Sequence, residues 1–248
     1  MGKRVRAASG ALLALASAMS PAAAQTGGQR SPNVGEAVRL ILDRTNSFRG
    51  GAGVEPIAPD ARLSAAARGF AAYLARTGRF GHEADGRTPA QRARAEGYAY
   101  CLILENIASV YSSEGFEARE LADRVMRGWK ESPGHRRNLL DPGATEVGVA
   151  IARSDASGAY YAVQLFGRPQ SLRIDFRIGN ASPAAVEYEV DGRSYSLPPR
   201  ATRMHQDCGA PRLLVHLPGE RQATVVEPAN GDRWDVERLG PRYRLKKS

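Results

Sequence analysis

The chain has 248 residues, with 35 Lys or Arg against 26 Asp or Glu for a formal charge of +9, and only two cysteines. Two cysteines exclude a disulfide-dense scaffold, and the length suits one large domain or two small ones. The basic balance points to anionic surfaces such as cell-wall polymers or lipid headgroups. Nucleic acid is disfavoured, because no Lys/Arg cluster is interleaved with aromatics and the N-terminus carries an export signature.

That signature comes first in chain order. Lys3, Arg4 and Arg6 precede an apolar run over residues 8–19, and Ala22-Ala23-Ala24 stands before Gln25, the pattern of a secretory signal peptide over residues 1–24. About a dozen apolar residues fall short of the roughly 20 that cross a bilayer core. The expectation is therefore cleavage, no transmembrane segment afterwards, and a periplasmic or extracellular product. Cleavage removes three of the 35 basic residues and none of the 26 acidic ones, leaving +6. Residues 25–33, QTGGQRSPN, read as a flexible lead-in.

From Val34 onward the period is helical. Val38, Ile41, Leu42 and Phe48 share one face of a helix that ends at Gly50-Gly51. Asp60 caps a second helix, in which Leu63, Ala66, Ala67, Phe70, Ala71 and Leu74 keep the i, i+3, i+4 spacing. A third starts at Pro89 behind Thr88 and stops at Gly97. The fourth carries Ala118, Leu121, Ala122, Val125, Met126 and Trp129 on one face, and Ser132-Pro133-Gly134 ends it, so that its C-terminus delivers His135.

Two strand-like runs follow, EVGVAIARS and AYYAVQLFGRP, joined as a hairpin by residues 155–158. Helices followed by an antiparallel hairpin predict an α+β or layered α-β-α domain over residues 34–169. Beyond residue 170 short alternating runs are broken by Gly, Pro and Asn, with an Asp-Gly hairpin signal in VDGRSY. Residues 170–248 thus read as a separate all-β module, a small sandwich or barrel.

Candidate chemistry is sparse. His82, Glu105 and His135 follow three predicted helix ends, and helices packed side by side would bring those loops to one cleft. Two imidazoles and a carboxylate suit Zn²⁺ with a position left for water, or a general acid/base pair with Glu105 as the candidate catalytic group. Ordinary structural histidines fit the same spacing. There is no H-E-x-x-H helix and no G-x-S-x-G elbow. Ser132, three residues before His135, is a conceivable but unsupported nucleophile. Cys101 and Cys208 are a candidate disulfide in an oxidising compartment, provided their Cα atoms come within about 7 Å. His205 reads as a surface residue and His216 as a strand residue.

Several stretches taken together resemble a known family. They are TNSFRGGAGVEPIAPDARLSAAARGFAAYLARTGRFGHEADGRTPAQRARAEGYAYCLILENIA, VMRGWKESPGHRRNLLDPGATEVGVAIA and YYAVQLFG. The resemblance is to the CAP superfamily of cysteine-rich secretory, antigen 5 and pathogenesis-related proteins, in its bacterial SCP-domain branch, over roughly residues 35–168. It implies an α-β-α sandwich with a central cleft lined by two histidines and two acidic residues, which bind zinc or another divalent cation in some members.

By motif, that set carries over to His82, to Glu105 of the E-N-[IL]-A element and to His135 of S-P-G-H-R-x-N. The family's second glutamate falls on Ser132, while Glu131 stands one residue earlier, a rotation of about 100° on a helix. The implied set here is a His-Glu-His triad with Glu131 as a doubtful fourth. Asn46, Arg49, Arg92, Asn106 and Asn138 read as structural groups bonding loop carbonyls, and Trp129 as a core anchor. Two functions follow from the resemblance: an exported module binding an envelope component, lipid or anionic polysaccharide, or a metal-assisted hydrolase of peptide or cell-wall substrates.

Overall fold

In a computed structural model, residues 1–2 and 30–248 are described; the predicted signal peptide, apart from its first two residues, and residues 25–29 of the lead-in lie outside them. The first helix, α1 (Val34–Gly51), starts where the Asn33 side chain accepts the Glu36 N–H. The second, α2 (Ala61–Thr77), starts where the Asp60 carboxylate accepts the Arg62 and Leu63 N–H groups, and it stops at Gly78 with φ 69°. A reciprocal capping box between Thr88 and Gln91 opens α3 (Pro89–Ala95). The fourth helix, α4 (Ala118–Glu131), buries the six predicted residues from Ala118 to Trp129.

Four strands form the middle layer: β1 (Ala58–Pro59), β2 (Tyr100–Val110), β3 (Glu146–Arg153) and β4 (Tyr160–Pro169). Their order is β1-β3-β4-β2, with β3 and β2 antiparallel to β4 and β1 parallel to β3. One face packs Phe166, Val147 and Val149 against Ile41 of α1 and Leu121, Met126 and Trp129 of α4. The other packs Val163 and Leu165 against Leu63, Phe70 and Leu74 of α2. This is the expected α-β-α sandwich.

Two expectations are corrected. Residues 100–110 followed the third helix as an unassigned stretch, yet they form the longest strand, β2. It carries apolar residues on both faces, so no alternation marked it. Ser132-Pro133-Gly134 does end α4, but Pro133 is also the first residue of α5 (Pro133–Leu139). His135 therefore sits in the first turn of a new helix, where a proline lacking its N–H is no loss.

A close approach decides where the sheet is left open. A Cβ on Gly148 would collide with the backbone of Leu63 and Ser64, so α2 lies almost backbone to backbone over β3 and β4. The neighbouring face of β2 is left beside it.

Arg49 fastens the loops on the opposite side. Fully buried, it donates to the carbonyls of Glu55 at 2.7 Å, Leu139 at 3.0 Å, Asp141 at 3.0 Å and Ala144 at 3.1 Å. Burial lowers its pKa, and Asp141 partly offsets this. Asn46 exchanges two hydrogen bonds with the Ile57 backbone.

Past a short 3-10 turn come β5 (Ile174–Asn180), β6 (Val186–Val190), β7 (Arg193–Leu197), β8 (Thr202–Asp207), β9 (Leu213–His216), β10 (Thr224–Val226), β11 (Arg233–Leu239) and β12 (Arg242–Lys247). They form two four-stranded sheets, β10-β9-β6-β7 and β12-β11-β5-β8. Both sheets contribute to one core that includes Phe176, Ile178, Val186, Tyr188, Val215 and Val236, which is a sandwich. The Asp191-Gly192 turn between β6 and β7 has φ 48° and 76°, the left-handed pair a tight hairpin needs. Cys101 on β2 and Cys208 just after β8 are disulfide-bonded, with Cα atoms 5.4 Å apart across a sequence separation of 107. Among the described residues no helix is long and apolar enough to cross a membrane.

His216 lies on β9, 3.5 Å from Glu189. His205 is not a surface residue: it is partly buried among three rings. It stacks on Phe176 at 5.3 Å, meets Tyr195 edge-on at 5.0 Å, and has Nε2 2.8 Å from the Tyr188 hydroxyl. Desolvation first, and the Arg203 charge second, push the His205 pKa down.

The folded state thus resists protonating His205, and the stability this residue contributes is complete above its ordinary pKa of about 6.5 and lost as pH falls below that value. Unfolding in urea at pH 7.5 and pH 5.0, followed by tyrosine fluorescence, should show a larger acid-induced drop in midpoint for wild type than for His205→Phe. Equal drops would reject the assignment.

Candidate functional site

The cleft is assembled from four elements around one buried carboxylate. Glu105 projects from β2 with its side chain only 1% exposed. Its Oε2 accepts a hydrogen bond from Arg92 Nη2 at 2.7 Å, and its Oε1 one from His82 Nδ1 at 2.8 Å. Arg92, from α3, is itself buried. Its two terminal nitrogens also donate to Asp85 Oδ1 at 2.7 Å, the Arg87 carbonyl at 2.7 Å and the His82 carbonyl at 2.8 Å. The guanidinium carbon stands 3.5 Å from the centre of the Phe70 ring of α2. One cation therefore shapes the 82–87 loop and neutralises the floor of the cleft.

Burial raises the Glu105 pKa, while Arg92 and His82 pull it back. Because the carboxylate accepts at Nδ1, His82 carries its proton there and offers Nε2 outward, from a side chain that is 51% exposed. His135 faces it across the cleft, with ring centres 6.5 Å apart and planes at 58°. Desolvation and the proximity of His82 lower the His135 pKa.

Its backbone is held in place by two amides. Asn106 Nδ2 donates to the His135 carbonyl at 3.2 Å, and Asn138 Nδ2 donates to the Glu105 carbonyl at 3.1 Å and to Asn106 Oδ1 at 2.9 Å. Trp129 is fully packed, and its Nε1 donates to the Ile107 carbonyl at 3.1 Å.

The structure thus brings His82, Glu105 and His135 together and leaves Glu131 apart from the Glu105 network. Glu131 is exposed on the rim of a groove of about 380 Å³ that runs beside Ile107, Ser109 and Val110, with Ser132 and His135 on its wall. Sequence reasoning placed Arg92 among structural residues and passed over Asp85. The charged pair behind Glu105 was visible only as an unremarkable Asp-Gly turn ahead of TPAQR.

The donor set is poorly disposed for three-fold metal ligation. Both oxygens of Glu105 are already engaged, and among the described residues no three His, Cys, Asp or Glu side chains are placed to share an ion. The two imidazoles remain available as donors, with Glu105 behind one of them in the orienting position that carboxylates take behind metal-bound histidines.

The model of the cysteine-rich secretory protein family (CAP) matches residues 42–166, in agreement with this architecture. Uncharacterized protein YkwD of Bacillus subtilis (strain 168) is 27% identical over 131 residues, covering 52% of this chain and 47% of that protein; the match spans about half of each. Among solved structures, an outer surface protein from Borrelia burgdorferi is 21% identical with a TM-score of 0.48, over 54% of this chain and 94% of that one. An extracellular SCP-domain protein from Bacillus anthracis str. Ames is 24% identical with a TM-score of 0.47, over 57% and 45%.

Removing one member of a buried ion pair costs about 3–5 kcal/mol, because the other charge is left unpaired. Arg92→Met should lower the stability by that order in urea unfolding. Arg92→Met/Glu105→Gln should be less destabilised than the sum of the two single variants. Strict additivity would show that the two side chains are not energetically coupled.

Proposed function

Because the chain belongs to the cysteine-rich secretory protein family, we propose that it is an exported binding protein whose His82/Glu105/His135 cleft holds an envelope component, a lipid or an anionic polysaccharide. The observation that carries this reading is the burial of Glu105. A side chain that is 1% exposed and bonded through both oxygens does not reach a ligand. It acts as counter-ion and orienting partner, not as a base on bound water. What the cleft offers is the outward imidazole of His82 and the ring of His135, groups that hydrogen-bond polar or anionic surfaces. The export signature in residues 1–24 and the basic charge fit a ligand met outside the cytoplasm.

The test is a binding screen of the purified protein against anionic and neutral lipid vesicles and against anionic and neutral polysaccharides. One class should bind saturably, and His82→Ala and His135→Ala should each weaken it about tenfold. Binding that both variants leave unchanged would remove the cleft from the account.

A second reading, a divalent-cation centre supporting hydrolysis of peptide or cell-wall substrates, is favoured by one feature, the His82–Glu105 bond that fixes the tautomer and frees Nε2. Elemental analysis of the purified protein decides it. One equivalent of metal in wild type, lost in both His82→Ala and His135→Ala, would support the centre; metal-free wild type protein that binds no added zinc would exclude it.

A further inference from the structure

Among the described residues the central sheet has one long free edge, β2, and the hydrogen-bond pattern shows which of its backbone groups face outward. At the β3–β4 turn the Ser154 N–H bonds to the Ala159 carbonyl at 2.8 Å. Counting back in twos along the antiparallel register, Tyr161 and Val163 of β4 direct their N–H and C=O groups toward β3. The β2 residues opposite them are Ser109 and Ile107, whose backbone groups therefore point away from the sheet.

Side chains confirm the phase independently. The carbonyls of Glu105 and Ile107 are the ones taken by Asn138 Nδ2 and Trp129 Nε1. The edge is thus covered by side chains as far as Ile107 and no farther. Ser109, next in the same phase, is exposed, and no backbone bond from outside the sheet reaches it among the described residues.

The groove of about 380 Å³ lies against this uncovered stretch. It is bordered by Ile107, Ser109 and Val110 on the strand and by Arg124, Arg127 and Glu131 on α4. Arg124 and Arg127 make no ion pair among the described residues, although Arg44 and Arg30 nearby both do. A strip of open strand edge beside two guanidiniums that are held in no ion pair, with Glu131 as the one carboxylate on the same groove, suits an extended backbone that brings carboxylates with it.

We propose that this groove binds a short acidic peptide in extended form, added as a strand to β2 at Ser109, with its carboxylates on Arg124 and Arg127. Backbone pairing to an open edge supplies the affinity and the alternate side chains supply the choice of partner. At about 3.3 Å per residue, the uncovered stretch beyond Ile107 as far as Val110 takes about three residues. The groove shares His135 with the cleft and stops short of the His82–Glu105 pair.

Fluorescence anisotropy of labelled Asp-Val-Asp-Val-Asp-Val with the purified protein tests the proposal. Saturable binding is expected, weakened at least tenfold by Arg124→Glu/Arg127→Glu and by N-methylating one of the two alternate sets of peptide amides, with no binding of the Lys-Val analogue. Ser109→Pro, which deletes an outward N–H on an edge strand where proline is tolerated, should weaken it as well, with circular dichroism confirming that the variant is folded. Absence of saturable binding overturns the proposal. So does binding that survives methylation of the one set and, separately, of the other, since that is charge attraction without strand addition. Binding of a sulfated dextran at the same arginines, in place of the peptide, would assign the groove to polyanions and overturn it too.

Discussion

A guanidinium cannot shed its charge, so a buried arginine must be surrounded by acceptors, and two such arginines organise this domain. Arg49 collects four backbone carbonyls, one from the loop after α1 and three from the end of α5 and the loop that follows it. Arg92 collects two carboxylates and two carbonyls beneath the cleft. Each turns segments with little apolar surface of their own into fixed parts of the fold, because releasing any one of them would leave part of a desolvated charge unpaired.

The same requirement sets the character of the site. Glu105 is where Arg92 needs an anion, and it is then the anion that His82 finds. The carboxylate is thereby committed to Arg92 and His82, and the exposed imidazole is the group of that pair left facing the cleft. His135 reaches the opposite wall through α5, whose end is held by Arg49 at Leu139 and whose first turn is held by Asn106 at the His135 carbonyl. The two histidines that define the cleft are thus positioned by the two buried arginines, one for each wall.

Edges are handled unequally around the central sheet. On one side β1 is only two residues long, too short to recruit another strand. On the other, β2 is long. Its start is tied by Cys101 to the C-terminal sandwich and its middle is capped by Asn138 and Trp129, while its end at Ser109 opens into an arginine-bordered groove. α2 sits directly on β3 at Gly148, and β2 packs against α3, α4 and α5.

By itself the sequence determined whatever is decided within one or two helical turns. The caps at Asp60 and Thr88, the apolar faces of α1, α2 and α4, the β3–β4 hairpin, the Asp-Gly turn and the alternation of the C-terminal strands all follow from neighbours a few residues apart. The motif likeness singled out His82, Glu105 and His135 as well. Only the tertiary structure decided that residues 100–110 form a strand, that Pro133 starts a helix, that His205 is enclosed by aromatic rings, and that Arg92 and Asp85 stand behind Glu105. Apart from the helix start at Pro133, those outcomes rest on contacts between residues 7 to more than 100 positions apart, as between Arg92 and Asp85 or Cys101 and Cys208, and desolvation, the force that makes such contacts compulsory, exists only once the layers have closed.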